Sequence, residues 1–511
     1  MSIWQWLPAL AACGAIWRLP LHRLGVPIAG GAAITLAWMS DQPVNPVIGA
    51  PPETSLAANR LKVALMAPIE AFLHVQAASG LMLLAMSVLA LVWANSPWSD
   101  SYEHLRHLEL GLEVGHFNFK RPLHFWINDG LMTIFFFVVG LEIKREILDG
   151  ELSELKRAAL PIAAALGGMV APALIYLSMN PTGPAHAGWG IPMATDIAFA
   201  VGILSLLGSR VPAALRILLL ALAIIDDIGA IIVIAIFYSK GIQIDGLVLI
   251  GSGFALIFLM QRFGMRLATL YIPGGALIWA GMYRFGIHPT IAGVLLGLAT
   301  PHVSWFGKEG FLREANQALV DFNAKLEDPG SDDHALFAPL NRLATARREA
   351  FSPLQRLESN LHGHVAYFIM PVFALANAGV SLKGIDLEQA SAATVGFGVA
   401  LGLSLGKPIG ITLFAFVACK LGLATLPHGV NFRGVLVVGC VGGIGFTMAI
   451  FIAELAFPGS PFLGVAKLAV LIGSAIIAVI GLTLGKLLLS DKLPPDIARI
   501  SVADAESSTE Y

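Results

Sequence analysis

The stretch Leu215–Ser239, LRILLLALAIIDDIGAIIVIAIFYS, is apolar almost throughout and carries two adjacent aspartates, Asp226 and Asp227, in its middle. From Ile217 to Tyr238 it is otherwise free of charge. About 22 residues at about 1.5 Å rise each cross a hydrocarbon core of about 30 Å. Both carboxylates then fall near the midplane, where insertion scales charge about 2.5–3.5 kcal/mol for a single Asp. Two side by side need a compensating partner and a reason. A site for a cation or a proton supplies the reason; the competing reading is a satisfied Asp pair in a soluble core helix.

The rest of the chain decides for the membrane. Its 511 residues are 56% hydrophobic and only 13% charged, and the mean hydropathy is +0.76. That is the composition of a polytopic membrane protein. A net charge of -2, with no basic stripe or aromatic-interleaved basic patch, argues against nucleic acid as a partner. Cys13, Cys419 and Cys440 lie in apolar surroundings without metal-ligand spacing, so neither a disulfide framework nor a zinc site is expected.

Apolar runs near 79–95, 124–143, 158–178, 191–207, 212–238, 245–261, 267–282, 287–300, 364–382, 392–418, 433–456 and 464–489 predict an all-α protein of about 12 spans. Assigning Lys and Arg to alternating sides gives 22 on one and 7 on the other, Lys467 among the 7. The positive-inside rule then places Arg60 and the C-terminal tail in the cytoplasm. Residues 1–65 form an N-terminal extension of unknown role: two apolar runs too short to span, then a Pro- and Ser-rich linker at 41–58. No Lys or Arg precedes the first run, so a secretory signal is not expected. Spans 1–8 fall in 66–300, a cytoplasmic insertion in 301–355, and spans 9–12 in 356–490, with a disordered tail at 491–511. The insertion predicts one amphipathic helix around 312–326, with Pro329-Gly330-Ser331-Asp332-Asp333 after it. Residues 108–120 alternate apolar and polar side chains and read either as a short extracytoplasmic β-hairpin or as an irregular loop.

Three further ionisable residues enter predicted spans: Asp129, Asp196 and Lys407. One buried ammonium can offset one buried carboxylate, so the set titrates as a coupled group. Pro192 and Thr195 precede Asp196 within a turn, and Gly439, Gly442, Gly443 and Gly445 crowd the eleventh span. Such glycines serve close helix packing or a helix break. Their placement favours breaks, because each is in the middle span of a three-span half, 158–238 or 392–489. Paired interruptions predict two inverted repeats whose broken helices cross at the midplane and offer freed carbonyls to a small cation.

These motifs, WINDGLMTIFFFVVGLEIKRE at 126–146, ATDIAFAVG at 194–202, LALAIIDDIGAI at 220–231, FALANAGVSL at 373–382, GKPIGI at 406–411 and VGGIGFTMAIFIA at 441–453, resemble the NhaA family of bacterial Na+/H+ antiporters over about 79–489. That family is itself a known case of inverted repeats with broken helices. The resemblance implies that Asp227 is the principal ligand for Na+ or Li+ and the proton carrier. Asp226 then alternates between this site and an ion pair with Lys407. It places Thr195 and Asp196 at the helix crossing, with Asp196 and Lys407 balancing half-helix dipoles, and Asp129 along the cation pathway. Glu142, Arg145, Glu146 and Glu358 match a cytoplasm-facing cluster used in pH activation, and His288 a position linked to pH response. The 108–120 segment resembles a dimer contact, which implies a homodimer. Two departures stand out: Pro289 follows His288, and the loop before Glu358 is longer than in compact members.

The expected function is therefore pH-regulated exchange of cytoplasmic Na+ or Li+ for external protons across a bacterial inner membrane, without a cofactor, an ATP site or covalent chemistry. The alternatives are a proton- or sodium-coupled symporter of an organic anion on the same fold, and a channel or pH sensor without turnover.

Overall fold

The computed structural model describes residues 78–489, except 115–116, 240–242, 266–267, 329–331 and 382–389. The N-terminal extension, its linker and the 491–511 tail lie outside the described residues.

The described chain is overwhelmingly helical. In order, α1 is Ala78–Ala94, α2 Ser99–Arg106, α3 Met132–Asp149, α4 Leu155–Met179, α5 Ile197–Ser205, α6 Ala213–Phe237, α7 Asp245–Arg262, α8 Ile272–Phe285 and α9 Ile291–Ala299. The insertion holds α10, Gly307–Glu327, and α11, Asp333–Glu349. There follow α12 Pro353–His364, α13 Met370–Asn377, α14 Ala390–Leu401, α15 Lys407–Lys420, α16 Phe432–Gly442, α17 Phe446–Ala456 and α18 Phe462–Leu488. Strands β1, Glu109–Val114, and β2, Phe117–Pro122, pair antiparallel with Glu109 opposite Pro122 and Val114 opposite Phe117.

Among the described residues, five helical segments are long and apolar enough to cross a membrane alone: 155–179, 213–237, 245–262, 391–420 and 462–488. Three bent pairs pass the same test together. One is α1 with α2, where a 114° turn after Ala94 throws the second helix aside. The other two are the interrupted segments. A 3-10 helix, Pro184–Met193, meets α5 at 42°, and α16 meets α17 at 49°.

Local chemistry explains both breaks. Pro192 ends the 3-10 segment, and Asp196 restarts a helix as N-cap, its side chain accepting from the Phe199 N–H. In the second segment α16 stops at Gly442, and Phe446, after Gly445, has φ +24°, a backbone setting that side chains rarely adopt. Among the described residues three π-helical turns also occur, at Trp126–Leu131, Val365–Ile369 and Gly402–Gly406. The first contains Asp129 and the last runs directly into Lys407, in keeping with the tendency of such bulges to sit at functional positions.

The core is assembled around α4, α6, α15 and α16. α4 and α15 approach so closely at Gly167 and Gly410 that a Cβ on Gly167 would lie 2.1 Å from the Gly410 carbonyl oxygen, so only glycine fits there.

Two sequence expectations need correction. The insertion contains two helices rather than one; they pack on each other and Arg342 of α11 bonds Asp321 and Glu314 of α10. The second, α11, carries Pro339 inside it. Lys467, counted as a loop charge, lies in the second turn of α18 and is 4% exposed. It is buried because it has a carboxylate partner, which periodicity alone does not show.

Candidate functional site

The two interruptions touch. The Asp196 N–H donates to the Ile444 carbonyl at 2.8 Å, and the Thr195 hydroxyl lies 2.8 Å from the Gly442 carbonyl. From the other side, the Asp196 carboxylate accepts from the Thr447 N–H at 3.2 Å and from the Thr447 hydroxyl. Each broken helix thus satisfies the groups its partner has freed, which a buried interruption requires.

Lys407 and Asp226 meet at this junction. The Lys407 ammonium donates to Asp226 Oδ2 at 2.5 Å and to the Thr195 hydroxyl at 2.6 Å. Thr195 in turn is within 2.8 Å of the same Asp226 oxygen. Its single proton serves either that carboxylate or the Gly442 carbonyl, so the hydroxyl links the ion pair to the break in the other helix. Lys407, Thr195 and Asp196 are fully buried, and Asp226 and Asp227 are 1% and 2% exposed.

What remains unsatisfied is informative. Asp226 Oδ1 and Asp227 Oδ2 are buried and have no hydrogen-bond partner. Two orphan carboxylate oxygens on adjacent residues are costly unless something else fills their need. Hard cations take oxygen ligands, and a proton on either carboxyl would also relieve the charge. The donor set fits a small monovalent cation as cargo. Among the described residues, no group of three or more His, Cys, Asp or Glu is arranged to hold a resident metal.

The remaining predicted residues fall in two other places. Asp129 pairs with His288 at 3.3 Å, while His288 Nδ1 lies 2.8 Å from the Thr290 hydroxyl. The Asp129 carbonyl accepts from the Trp279 indole and from Thr133, which fixes the π-turn. Glu142, Arg145, Glu146 and Glu358 gather where α3 meets α12. Arg145 bridges Glu358 and Glu146, the latter at 3.3 Å, and Glu142 stands 3.6 Å from His362. Burial pushes the Glu358 carboxyl above its usual range, opposed by Arg145. The Glu142 carboxylate beside His362 raises that imidazole, against the opposing effect of burial. Glu142 also acts electrostatically on Asp227, so this cluster and the aspartate pair are within each other's reach.

The sequence reading missed Thr447 and His362. Thr447 lies inside the quoted VGGIGFTM motif, but a threonine on an apolar helix ordinarily bonds its own backbone and carries no signal. His362, four residues after Glu358, shares its helix face at i, i+4 spacing, a signal that was available.

A bundle of apolar helices with two interrupted segments in contact, a buried Lys–Asp pair and a second unpaired Asp has the build of a membrane carrier for small cations. Residues 70–484 match the family described as Na+/H+ antiporter 1. The chain is 59% identical over 464 residues to the Na(+)/H(+) antiporter NhaA 2 of Sorangium cellulosum, covering 90% of this chain and 98% of that one. It is 54% identical over 459 residues to the Na(+)/H(+) antiporter NhaA 2 of Myxococcus xanthus, covering 90% and 97%. Over 417 residues it is 48% identical to the Na(+)/H(+) antiporter NhaA of a Janthinobacterium species, covering 82% and 92%. The chain belongs to the Na+/H+ antiporter 1 family.

Proposed function

We propose that this Na+/H+ antiporter works by competition of the cation and protons for the Asp226/Asp227 pair. The observation that carries the reading is the pair of buried orphan oxygens beside the Lys407–Asp226 bond. With both aspartates ionised the oxygens bind Na+, or Li+; protonation releases the cation. Asp227 is the principal ligand and proton carrier. Asp226 exchanges its bond to Lys407 for the cation, and Thr195 and Asp196 hold the broken helices in register.

In this reading about 12 spans, including inverted repeats at about 158–238 and 392–489, place the junction near the bilayer midplane. Rigid-body movement of the broken-helix bundle exposes the loaded site to alternate sides of the membrane. The C-terminus is cytoplasmic, the membrane is the bacterial inner membrane, and sodium leaves as external protons enter. Asp129, bonded to His288, shapes the cation pathway, and the Glu142, Arg145, Glu146, Glu358 and His362 cluster adjusts activity to pH. The β1–β2 hairpin is the contact of a homodimer.

The test is the pH change in acidified everted vesicles on adding Na+, Li+ or K+, wild type beside Asp227→Asn, over about pH 6.5–9. Collapse of the gradient by Na+ or Li+ in wild type, and none in Asp227→Asn, is the expected result. Wild-type exchange in the Asn variant would remove Asp227 from its assigned role. A response that requires an added organic anion would favour the symporter.

A further inference from the structure

The 301–355 insertion is built on a closed base. The Leu354 N–H donates to the Pro301 carbonyl and the Phe306 N–H to the Glu349 carbonyl, each at 3.2 Å, so its two ends stay together. One side of α10 is used within the insertion. There Ala315 and Ala318 are buried, Glu314 and Asp321 accept from Arg342 of α11, and the Lys325 ammonium donates to the Ala335 carbonyl at 3.0 Å.

Another side of α10 is left open. Leu312, Leu319 and Leu326 are 59%, 50% and 63% exposed. They recur every seven residues, and Asn316 and Asn323, also exposed, fall between them, so the steps run four, three, four and three. Such steps keep the side chains in one line along a helix. No charge falls on that line; Arg313 and Glu327 lie beside it.

Leucine at one seam position of a heptad, with asparagine at the other, is a pattern by which two like helices pair. The asparagines decide what covers the stripe. Lipid or an apolar partner would strip water from both amides and return no bond. An amide carries a donor and an acceptor, so across a twofold axis it can bond its own kind. We propose that the 312–326 stripe of α10 is a contact surface for the same stripe of a second copy of this chain. Two heptads are too short to hold free peptides together. Here α10 is already folded against α11, so pairing does not require the helix to form. The contact is separate from the β1–β2 hairpin and goes beyond the exchange mechanism proposed above.

Leu319 is the central residue of the stripe and lies beside the axis of such a pairing. In the full-length protein in membranes, Leu319→Cys oxidised with copper phenanthroline is expected to give a disulfide-linked dimer. The parent chain, whose cysteines are Cys13, Cys419 and Cys440, should give none. Gln317→Cys, exposed but off the stripe, should also give none. Leu319→Asp, an exposed position where folding is not at risk, should raise the dimer Kd in detergent by about tenfold, read by light scattering. No disulfide at Leu319 together with an unchanged Kd in Leu319→Asp would overturn the proposal, as would equal cross-linking at Gln317. A Leu319→Cys thiol that forms no dimer, and that a water-soluble maleimide reaches in detergent but not in liposomes, would assign the stripe to the lipid surface instead. Neither cross-linking nor light scattering involves Na+, so the competition mechanism can fail with this contact intact.

Discussion

Two lysines are buried among the described residues, and each meets a carboxylate at 2.5 Å: Lys407 with Asp226 and Lys467 with Glu454. The bonds are alike; their surroundings are opposite. Around Lys407 stand Asp226, Asp227 and Asp196, three acidic groups against one ammonium, with two carboxylate oxygens unpaired. Around Lys467 stands Glu454, one acid against one ammonium, and neither is among the buried polar groups left without a partner. The first set reaches neutrality only by taking up protons or a cation. The second is complete as it stands. On the reading proposed above, a buried ion pair serves transport when a second acid next to it is left without a partner.

The most severe way to break this contrast is to neutralise the surplus acid. Asp227→Asn removes a charge from the lysine–aspartate set without touching the Lys407 bond, and exchange in everted vesicles is expected to vanish while the amount of folded protein is unchanged. Next comes the removal of each lysine. Lys407→Ala and Lys467→Ala both leave an uncompensated buried carboxylate, which costs about 3–5 kcal/mol, seen as a large drop in thermal midpoint in detergent. They should part in transport. On the proposed competition of Lys407 with the cation for Asp226, Lys407→Ala is expected to change how steeply the KM for Na+ depends on pH. Lys467→Ala leaves that slope alone. Equal slopes in the two variants would mean that the pairs do not differ in kind.

Thr447→Val is a smaller and more local probe. It deletes the hydroxyl bond to Asp196 and keeps the N–H bond at 3.2 Å, so about 1–3 kcal/mol of stability is at stake. Stability should fall by that amount in thermal unfolding, and exchange should weaken without a change in which ions are accepted. Wild-type stability in this variant would show that the two interruptions do not depend on this bond.

The sequence made the Lys407 set legible because Asp196, Asp226, Asp227 and Lys407 each interrupt a long apolar run, where a charge cannot pass as surface decoration. The breaks at Pro192–Thr195 and Gly442–Gly445 were readable from their placement, each in the middle span of a three-span half. Glu454 and Lys467 escaped because they lie near the ends of their runs, where a charge is normally in water. The partner that makes Lys467 a buried residue is 13 positions away and on another helix, and no local pattern contains that fact. Asp129 and His288 were both named from the sequence, yet their bond joins the π-turn before α3 to the loop before α9 and could be seen only in three dimensions.

The least effect, and the one that reaches beyond the buried pairs, comes from the cluster where α3 meets α12. Because Glu142 raises the His362 imidazole above its ordinary value, the bond it makes is fully present below about pH 6.5 and is lost as pH rises through the raised value. The imidazole is largely exposed, 69% by side chain, so solvent screens the interaction and its contribution to stability is small. Loss of the His362 proton nevertheless uncovers the Glu142 charge, which acts on Asp227. Glu142→Gln should therefore let His362 deprotonate at lower pH, with a modest acidward shift of the antiport profile and no change in thermal midpoint. NMR titration of the His362 ring and vesicle exchange across pH read the two effects separately. A shift in the ring titration with an unmoved transport profile would confine the cluster to the protein surface and leave the aspartate set to determine pH dependence by itself.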